Sequence, residues 1–463
     1  MMKELSRRQF LGQVSCAGVS ATPVISTLLN LGITNSVAAA SPSDDDYKAL
    51  VCVFLSGGND SFNMLVPNSE SEYRDYAETR SNLAISRKEL LELERSASGR
   101  RFGLHPAMPE LSVLFQQGNA AFVANVGTLI EPTTLQDFER QSVRLPQGLF
   151  SHSDQIMHWQ TGIPDGPSAT GWAGRVSDLL HAVNDNDKVS MNVSLAGTNM
   201  FQTGRQTFSY EISPELGGSV TPLMHEDEVG LVGRIARTSV KNMMDVTYQN
   251  LFQQAYTDTV NQAVDAGREF AEALEPVRIR TEFSHAQLSE ALQLVARTIA
   301  ARDTLGMKRQ TFFVLMDGYD HHDELLESHG EMMQVLSRAL SEFDQAMQEL
   351  KVHDQVTTFT ASDFARTLTS NGRGSDHAWG GNQIVMGGAV RGGLIYGEYP
   401  ELAAGSKLDT GRGRLIPTLS TDQYFAELAR WFGIADSDLG EVFPNLGRFH
   451  NPSSGAPVGF MQN

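Results

Sequence analysis

Three apolar runs of this chain each end on a carboxylate, and two of them bring histidine as well. Leu50-Val51-Cys52-Val53-Phe54-Leu55 breaks into Ser56-Gly57-Gly58-Asn59-Asp60, and Thr311-Phe312-Phe313-Val314-Leu315-Met316 runs into Asp317-Gly318-Tyr319-Asp320-His321-His322-Asp323. Thr357-Thr358-Phe359-Thr360-Ala361 delivers Ser362-Asp363-Phe364, after which a Gly-rich loop reaches Asp376-His377-Ala378-Trp379-Gly380-Gly381. Carboxylates and neutral imidazoles together suit a borderline divalent ion such as zinc or manganese, whereas magnesium or calcium, the alternatives, favour oxygen alone. The candidate ligands are Asp60, Asp320, His322, Asp363, Asp376 and His377. His321 and His322 are adjacent and point opposite ways in an extended segment, so one of them is expected at the ion, and His322, two residues from Asp320, is the one favoured. Each carboxylate also has an ordinary reading: Asp60 as a helix cap, Asp363 as the end of a strand in an Asx turn.

Two further groups suit an anion. Leu149-Phe150-Ser151-His152-Ser153-Asp154-Gln155 reads as a loop entering a helix whose first amides and hydroxyls face a negative charge, or as a plain N-cap at Ser151 or Ser153. Arg366, three residues past Asp363, offers a fork for an anionic group or a surface ion pair.

Continuous apolar runs are the mark of strands buried on both faces, and parallel strands gather their carboxyl ends on one edge. The expected fold is therefore α/β, a doubly wound, mostly parallel sheet flanked by helices. Ala120–Gly127 and Met191–Leu195 supply two more strands, and Glu331–Leu350 gives an amphipathic helix between the second and third motif strands. Residues 68–101 read as a charged, helix-prone excursion centred on Arg87–Leu93, and about 225–305 as a helical insertion. Thr421 to Phe432 closes the chain as a helix that Gly433 stops.

The first forty residues carry an export signal: Ser6-Arg7-Arg8-Gln9-Phe10-Leu11, a modest apolar stretch, and Ala38-Ala39-Ala40 ahead of Ser41. The expected organisation is a twin-arginine signal peptide over 1–40 and one α/β domain over 41–463, periplasmic or secreted, with the twin-arginine machinery as its export partner. Of 463 residues, 41% are hydrophobic, enough for a large core, and the formal charge of −19 argues against nucleic acid or anionic lipid as a partner. No run of the mature chain reads as a membrane span. Beyond the leader only Cys52 remains, inside the first apolar run, where it reads as a small buried hydrophobe.

Taken together, Gly57-Gly58-Asn59-Asp60, Leu104-His105-Pro106, Phe150 to Gln155, Trp159-Gln160-Thr161-Gly162, Gly318 to His322, Ser362 to Thr367, Asp376 to Gly381 and Phe443-Pro444-Asn445-Leu446 resemble the exported bacterial DUF1501 family. That family looks like a distant branch of the alkaline phosphatase and sulfatase superfamily. The resemblance implies an alkaline phosphatase-like fold and a metal-dependent hydrolase of phosphate or sulfate esters, acting on a small-molecule or polymer ester. It aligns Asp60, Asp320 with His322, Asp363 and His377 with metal ligands, makes Ser151 or Ser153 the positional candidates for a nucleophile, and leaves Arg366 to stabilise charge. Phe364 stands where that superfamily has an imidazole, which keeps a second reading open: a non-catalytic periplasmic or surface protein that binds metal or ligand.

Overall fold

Residues 47–93, 99–186, 188–213 and 251–462 of the computed structural model are described here. Lys48–Leu55 forms β1, and its side chains alternate between two cores. Ala49, Val51, Val53 and Leu55 pack with Leu292, Val295, Leu336, Leu340 and Phe343 on one face. Leu50, Cys52 and Phe54 pack with Trp172, Val176, Phe425, Leu428 and Phe432 on the other. A strand with period two buried on both sides needs such apolar cover twice over, which is why the run is continuous.

Next come three short strands, β2 (Leu65–Pro67), β3 (Leu91–Leu93) and β4 (Phe102–Leu104), paired antiparallel in the order β2-β4-β3. The charged stretch expected to be helical therefore splits. Glu70–Arg80 is a helix capped by Ser69, but Leu91–Leu93 is a strand, because Leu93 is buried and the segment pairs with β4. The main sheet adds β5 (Ala120–Gly127), β6 (Asn192–Ser194), β7 (Tyr210–Glu211), β8 (Arg309–Met316), β9 (Val356–Ser362), β10 (Gly381–Met386), β11 (Ile395–Tyr396) and β12 (Leu419–Ser420). Its order is β11-β5-β10-β9-β1-β8-β6-β7, with β12 also on β5. β10 runs antiparallel to β5 and β9, and the other pairs are parallel. The class is α/β: a mixed, mostly parallel sheet flanked by helices.

Register does the positioning. Leu55 stands opposite Met316 on one side and Ser362 on the other, so β8, β1 and β9 end level and release their loops on one edge. The helix Leu325–Glu349 carries the chain from β8 to β9. Helices Leu251–Leu274 and Gln287–Ala300 occupy the described part of the expected helical insertion, whose residues 225–250 lie outside the described residues, as does the leader. Thr421–Phe432 is a helix with a Ser420–Gln423 capping box, ended at Gly433 with φ 128°. No helix among the described residues is long and apolar enough to cross a membrane.

Candidate metal centre

The turn after β1 comes so close to the other two loops that only glycine fits. A Cβ on Gly57 would lie 2.5 Å from the Asp320 amide nitrogen, and one on Gly58 2.6 Å from the Phe364 ring. Both glycines also hold positive φ, 111° and 89°. The result brings Asp320 against the loop that carries Arg366 and His377.

Asp320 Oδ1 is the focus. His322 Nε2 lies 3.0 Å from it, His377 Nε2 3.4 Å and His152 Nε2 3.5 Å. His377 Nε2 is itself 3.1 Å from His152 Nε2 and 3.0 Å from His322 Nε2. The far nitrogen of every ring faces an oxygen: His152 Nδ1 is 2.6 Å from Asp363 Oδ2, His377 Nδ1 2.7 Å from the Phe150 carbonyl, and His322 Nδ1 3.2 Å from Asp376 Oδ1. Those acceptors place the proton on Nδ1 and leave a lone pair on each Nε2. With the proton on each Nδ1, three Nε2 lone pairs converge on a carboxylate oxygen, a donor set that a cation among them would satisfy. The donor set fits a borderline divalent ion. Among the described residues, His152, Asp320 and His377 each offer a ligand atom within 4.8 Å of the other two.

Electrostatics agrees. Burial raises the Asp320 carboxyl, but the hydrogen bond and charge of Arg366 outweigh it and hold the group below its ordinary range. Burial keeps His377 below the ordinary imidazole value, against the pull of its bond to Phe150, and so favours the neutral ring that a metal needs. Asp376, where burial is outweighed chiefly by its bond to Arg412, is also held low. Phe364 closes one side, its ring stacked on His377 with centroids 4.6 Å apart and tilted against His152 at 4.8 Å.

The sequence-derived candidates separate into tiers. Asp320, His322 and His377 meet. Asp363 is wholly buried behind His152, its Oδ1 accepting the Gly57 amide at 3.1 Å, and Asp376 stands behind His322, so both orient rings here and neither faces the centre. Asp60 is not in the cluster: its Oδ2 pairs with Arg80, both side chains fully buried. Arg366, expected to meet an anion, is fully buried and donates to Asp320 Oδ1 at 2.7 Å, to the Gly57 carbonyl and to Ser375, so it positions Asp320 and cannot reach a substrate. Ser151 and Ser153 flank His152 at the start of the helix His152–Thr161, with their hydroxyls 3.1 Å apart. His321 turns away and is buried beside Tyr319 and His329. His152 itself was not among the expected ligands. Its only signal in the sequence is an imidazole between two serines, which reads as a helix start.

The profile of "Protein of unknown function (DUF1501)" matches residues 47–438. The chain belongs to the DUF1501 family. A search of the curated proteins finds no match. Among solved structures, this DUF1501 chain is similar to Ps i-CgsB, at 10% identity and a TM-score of 0.34, over 88% of this chain and 77% of that one. It is similar to the lipoteichoic acid synthase LtaP from Listeria monocytogenes, at 9% and 0.31, over 83% and 81%. It is similar, too, to the lipooligosaccharide phosphoethanolamine transferase EptA from Neisseria meningitidis, at 8% and 0.33, over 93% and 71%. Superpositions this loose leave function to the geometry of the site.

Proposed function

We propose that this chain is an exported, metal-dependent hydrolase of phosphate or sulfate esters. One observation carries the reading: three imidazole Nε2 atoms lie within 3.5 Å of Asp320 Oδ1 while every Nδ1 is held by an oxygen behind it. His152, Asp320 and His377 would hold the ion, with His322 beside them, and zinc or manganese suits that set best. When bound, the ion supplies Lewis acidity toward an ester oxygen and lowers the pKa of a water.

The chain's own residues do the rest. Asp363 and the Phe150 carbonyl fix the rings of His152 and His377, Arg366 fixes Asp320, and Phe364 packs an apolar ring against both imidazoles. Ser151 and Ser153 carry hydroxyls next to His152, where either can act as the nucleophile.

Elemental analysis of the purified protein, together with turnover of an aryl phosphate and an aryl sulfate, tests this. Wild type should carry a divalent ion and turn over at least one ester, and His377→Ala should lose both. Asp363→Asn should bind the ion about 10–100-fold more weakly, because it loosens a ring without deleting a ligand. Wild type that is fully metallated yet inert toward a broad ester panel moves the assignment to a binding protein. Wild type without metal ends it.

Export is part of the same proposal. Arg7→Lys with Arg8→Lys should leave the precursor in the cytoplasm, since the paired arginines are what the twin-arginine pathway reads. Normal export of that double variant, followed by fractionation and immunoblotting, removes the pathway from the assignment.

A further inference from the structure

We infer that His321 and His329 form a separate metal site, a two-coordinate imidazole pair for a soft monovalent cation, copper(I), buried behind the loop that carries Asp320 and His322. The inference does not rest on the hydrolase reading, since neither ring belongs to the cluster described above.

His321 follows Asp320 in the loop after β8, and His329 lies near the start of the helix Leu325–Glu349. They are 6% and 1% exposed, so water does not serve their nitrogens from the surface. Among the described residues, both nitrogens of His321 and Nδ1 of His329 have no hydrogen-bond partner. Each such atom costs the fold its full desolvation. Ring packing does not account for them, because phenylalanine fills an edge-on aromatic contact equally well and carries no polar atom.

The tautomer of His329 is set from behind. Its Nε2 lies 2.9 Å from Asn59 Oδ1, while the Asn59 amide nitrogen faces Met64 Sδ at 3.7 Å. The proton therefore sits on Nε2 and the lone pair on Nδ1. Burial holds this ring well below the ordinary imidazole value, in the neutral form that a metal needs. His105, whose ring centroid is 5.6 Å from that of His329, offers no third ligand: its Nδ1 accepts the Ala107 amide at 3.1 Å, which leaves its proton on Nε2.

The spacing suits an ion between the pair. The ring centroids of His321 and His329 are 5.9 Å apart, with the planes at 84°. An ion about 2 Å from one nitrogen of each ring sets the centroids about 6 Å apart when the three atoms lie in line. Charge then chooses the ion. The arginines that act on these rings, Arg366 on His321 and Arg80 on His329, are already paired with Asp320 and Asp60, so the pair offers two neutral ligands and no carboxylate of its own. A divalent ion buried there costs about four times the solvation of a monovalent one, since that cost goes as the square of the charge. Copper(I) is monovalent, accepts two nitrogens in line and suits imidazole.

Anaerobic titration of copper(I) against a chromophoric copper(I) chelator tests this in wild type, His321→Leu, His329→Phe and His377→Ala, with X-ray absorption at the copper edge on loaded His377→Ala. That variant, its cluster broken, should retain one equivalent against the chelator, with two nitrogen neighbours. His321→Leu and His329→Phe should each bind that equivalent at least about 100-fold more weakly, because losing a ligand costs more than the roughly 10–100-fold of losing a group that only orients one. His321→Leu removes two unpartnered nitrogens and breaks no side-chain hydrogen bond, so it stands as the test if His329→Phe does not fold. Copper(I) should also raise the unfolding midpoint of His377→Ala and not that of His321→Leu with His377→Ala. Affinities of wild type and His321→Leu within twofold of each other overturn the inference. So does an equivalent that His377→Ala abolishes, which assigns the ion to the cluster, and so does wild type that yields all its copper(I) to the chelator, which leaves two packed rings or a trapped water.

Discussion

Arg80→Met will destabilise the fold by about 3–5 kcal/mol at pH 8, the loss expected when one partner of a buried ion pair is removed and the other is left behind. Arg80 and Asp60 are both fully buried and bonded to each other, and among the described residues Asp60 Oδ1 and Arg80 Nε have no hydrogen-bond partner. Burial already pushes the Asp60 carboxyl above its ordinary range, with the charge and hydrogen bond of Arg80 pulling against it. Without Arg80 the folded-state pKa rises further, so the variant folds with a neutral carboxyl that the unfolded chain ionises. The penalty is then smallest below the unfolded pKa and grows as pH rises through the folded one. Denaturant unfolding at pH 5 and pH 8 reads this directly. Asp60→Asn added to Arg80→Met should recover much of the loss, and equal destabilisation of Arg80→Met at both pH values would contradict the argument.

The same variant reaches the centre by a second route. Arg80 also donates to the Thr367 carbonyl at 2.9 Å, tying the helix Glu70–Arg80 to the segment that carries Asp363 and Arg366. Asp60 therefore serves the site by anchoring an arginine, although its place just past a strand end suggests a ligand. A sequence displays the carboxylate and its strand, but not that the partner twenty residues on is folded back onto it.

What could be read beforehand follows from what is local. Runs of apolar and β-branched residues announced β1, β8 and β9, and level strand ends put Asp320 and His377 within reach of each other. His152 arrives with no strand before it, and its partners Asp363 and His377 lie 211 and 225 residues away along the chain, so no spacing betrays it. Asp363 and Asp376 match ligands by residue type. Their distinction from ligands lies only in direction, since their oxygens are taken by His152, Gly57, His322 and Arg412. Arg366 is wholly buried, and burial of a single arginine is a property of the packed protein. The charged run Arg87–Leu93 went to turn and strand where helix was expected, because pairing with Phe102–Leu104 outweighs propensity in a short segment.

Asp422→Asn should remove a pH dependence of stability that involves none of the clustered histidines. Asp422 lies in the first turn of the helix Thr421–Phe432, fully buried, and among the described residues neither carboxylate oxygen has a hydrogen-bond partner of good geometry. Burial pushes its pKa up to about 7 against the charge of Arg175, whose own donors are spent on the carbonyls of Thr161, Thr170 and Val442. The unfolded chain ionises this group near pH 4, so folding takes up a proton between about pH 4 and 7, and stability from this residue falls as pH rises through that window. A gap of that size costs the fold on the order of 4 kcal/mol by pH 8. Asparagine keeps the shape and never ionises, so in chelator, with no ion bound, its unfolding free energy should decline with pH by about that amount less than the wild type's. Parallel curves for the two proteins from pH 4 to 8 would show that Asp422 is charged in the fold after all, with its second partner still to be found.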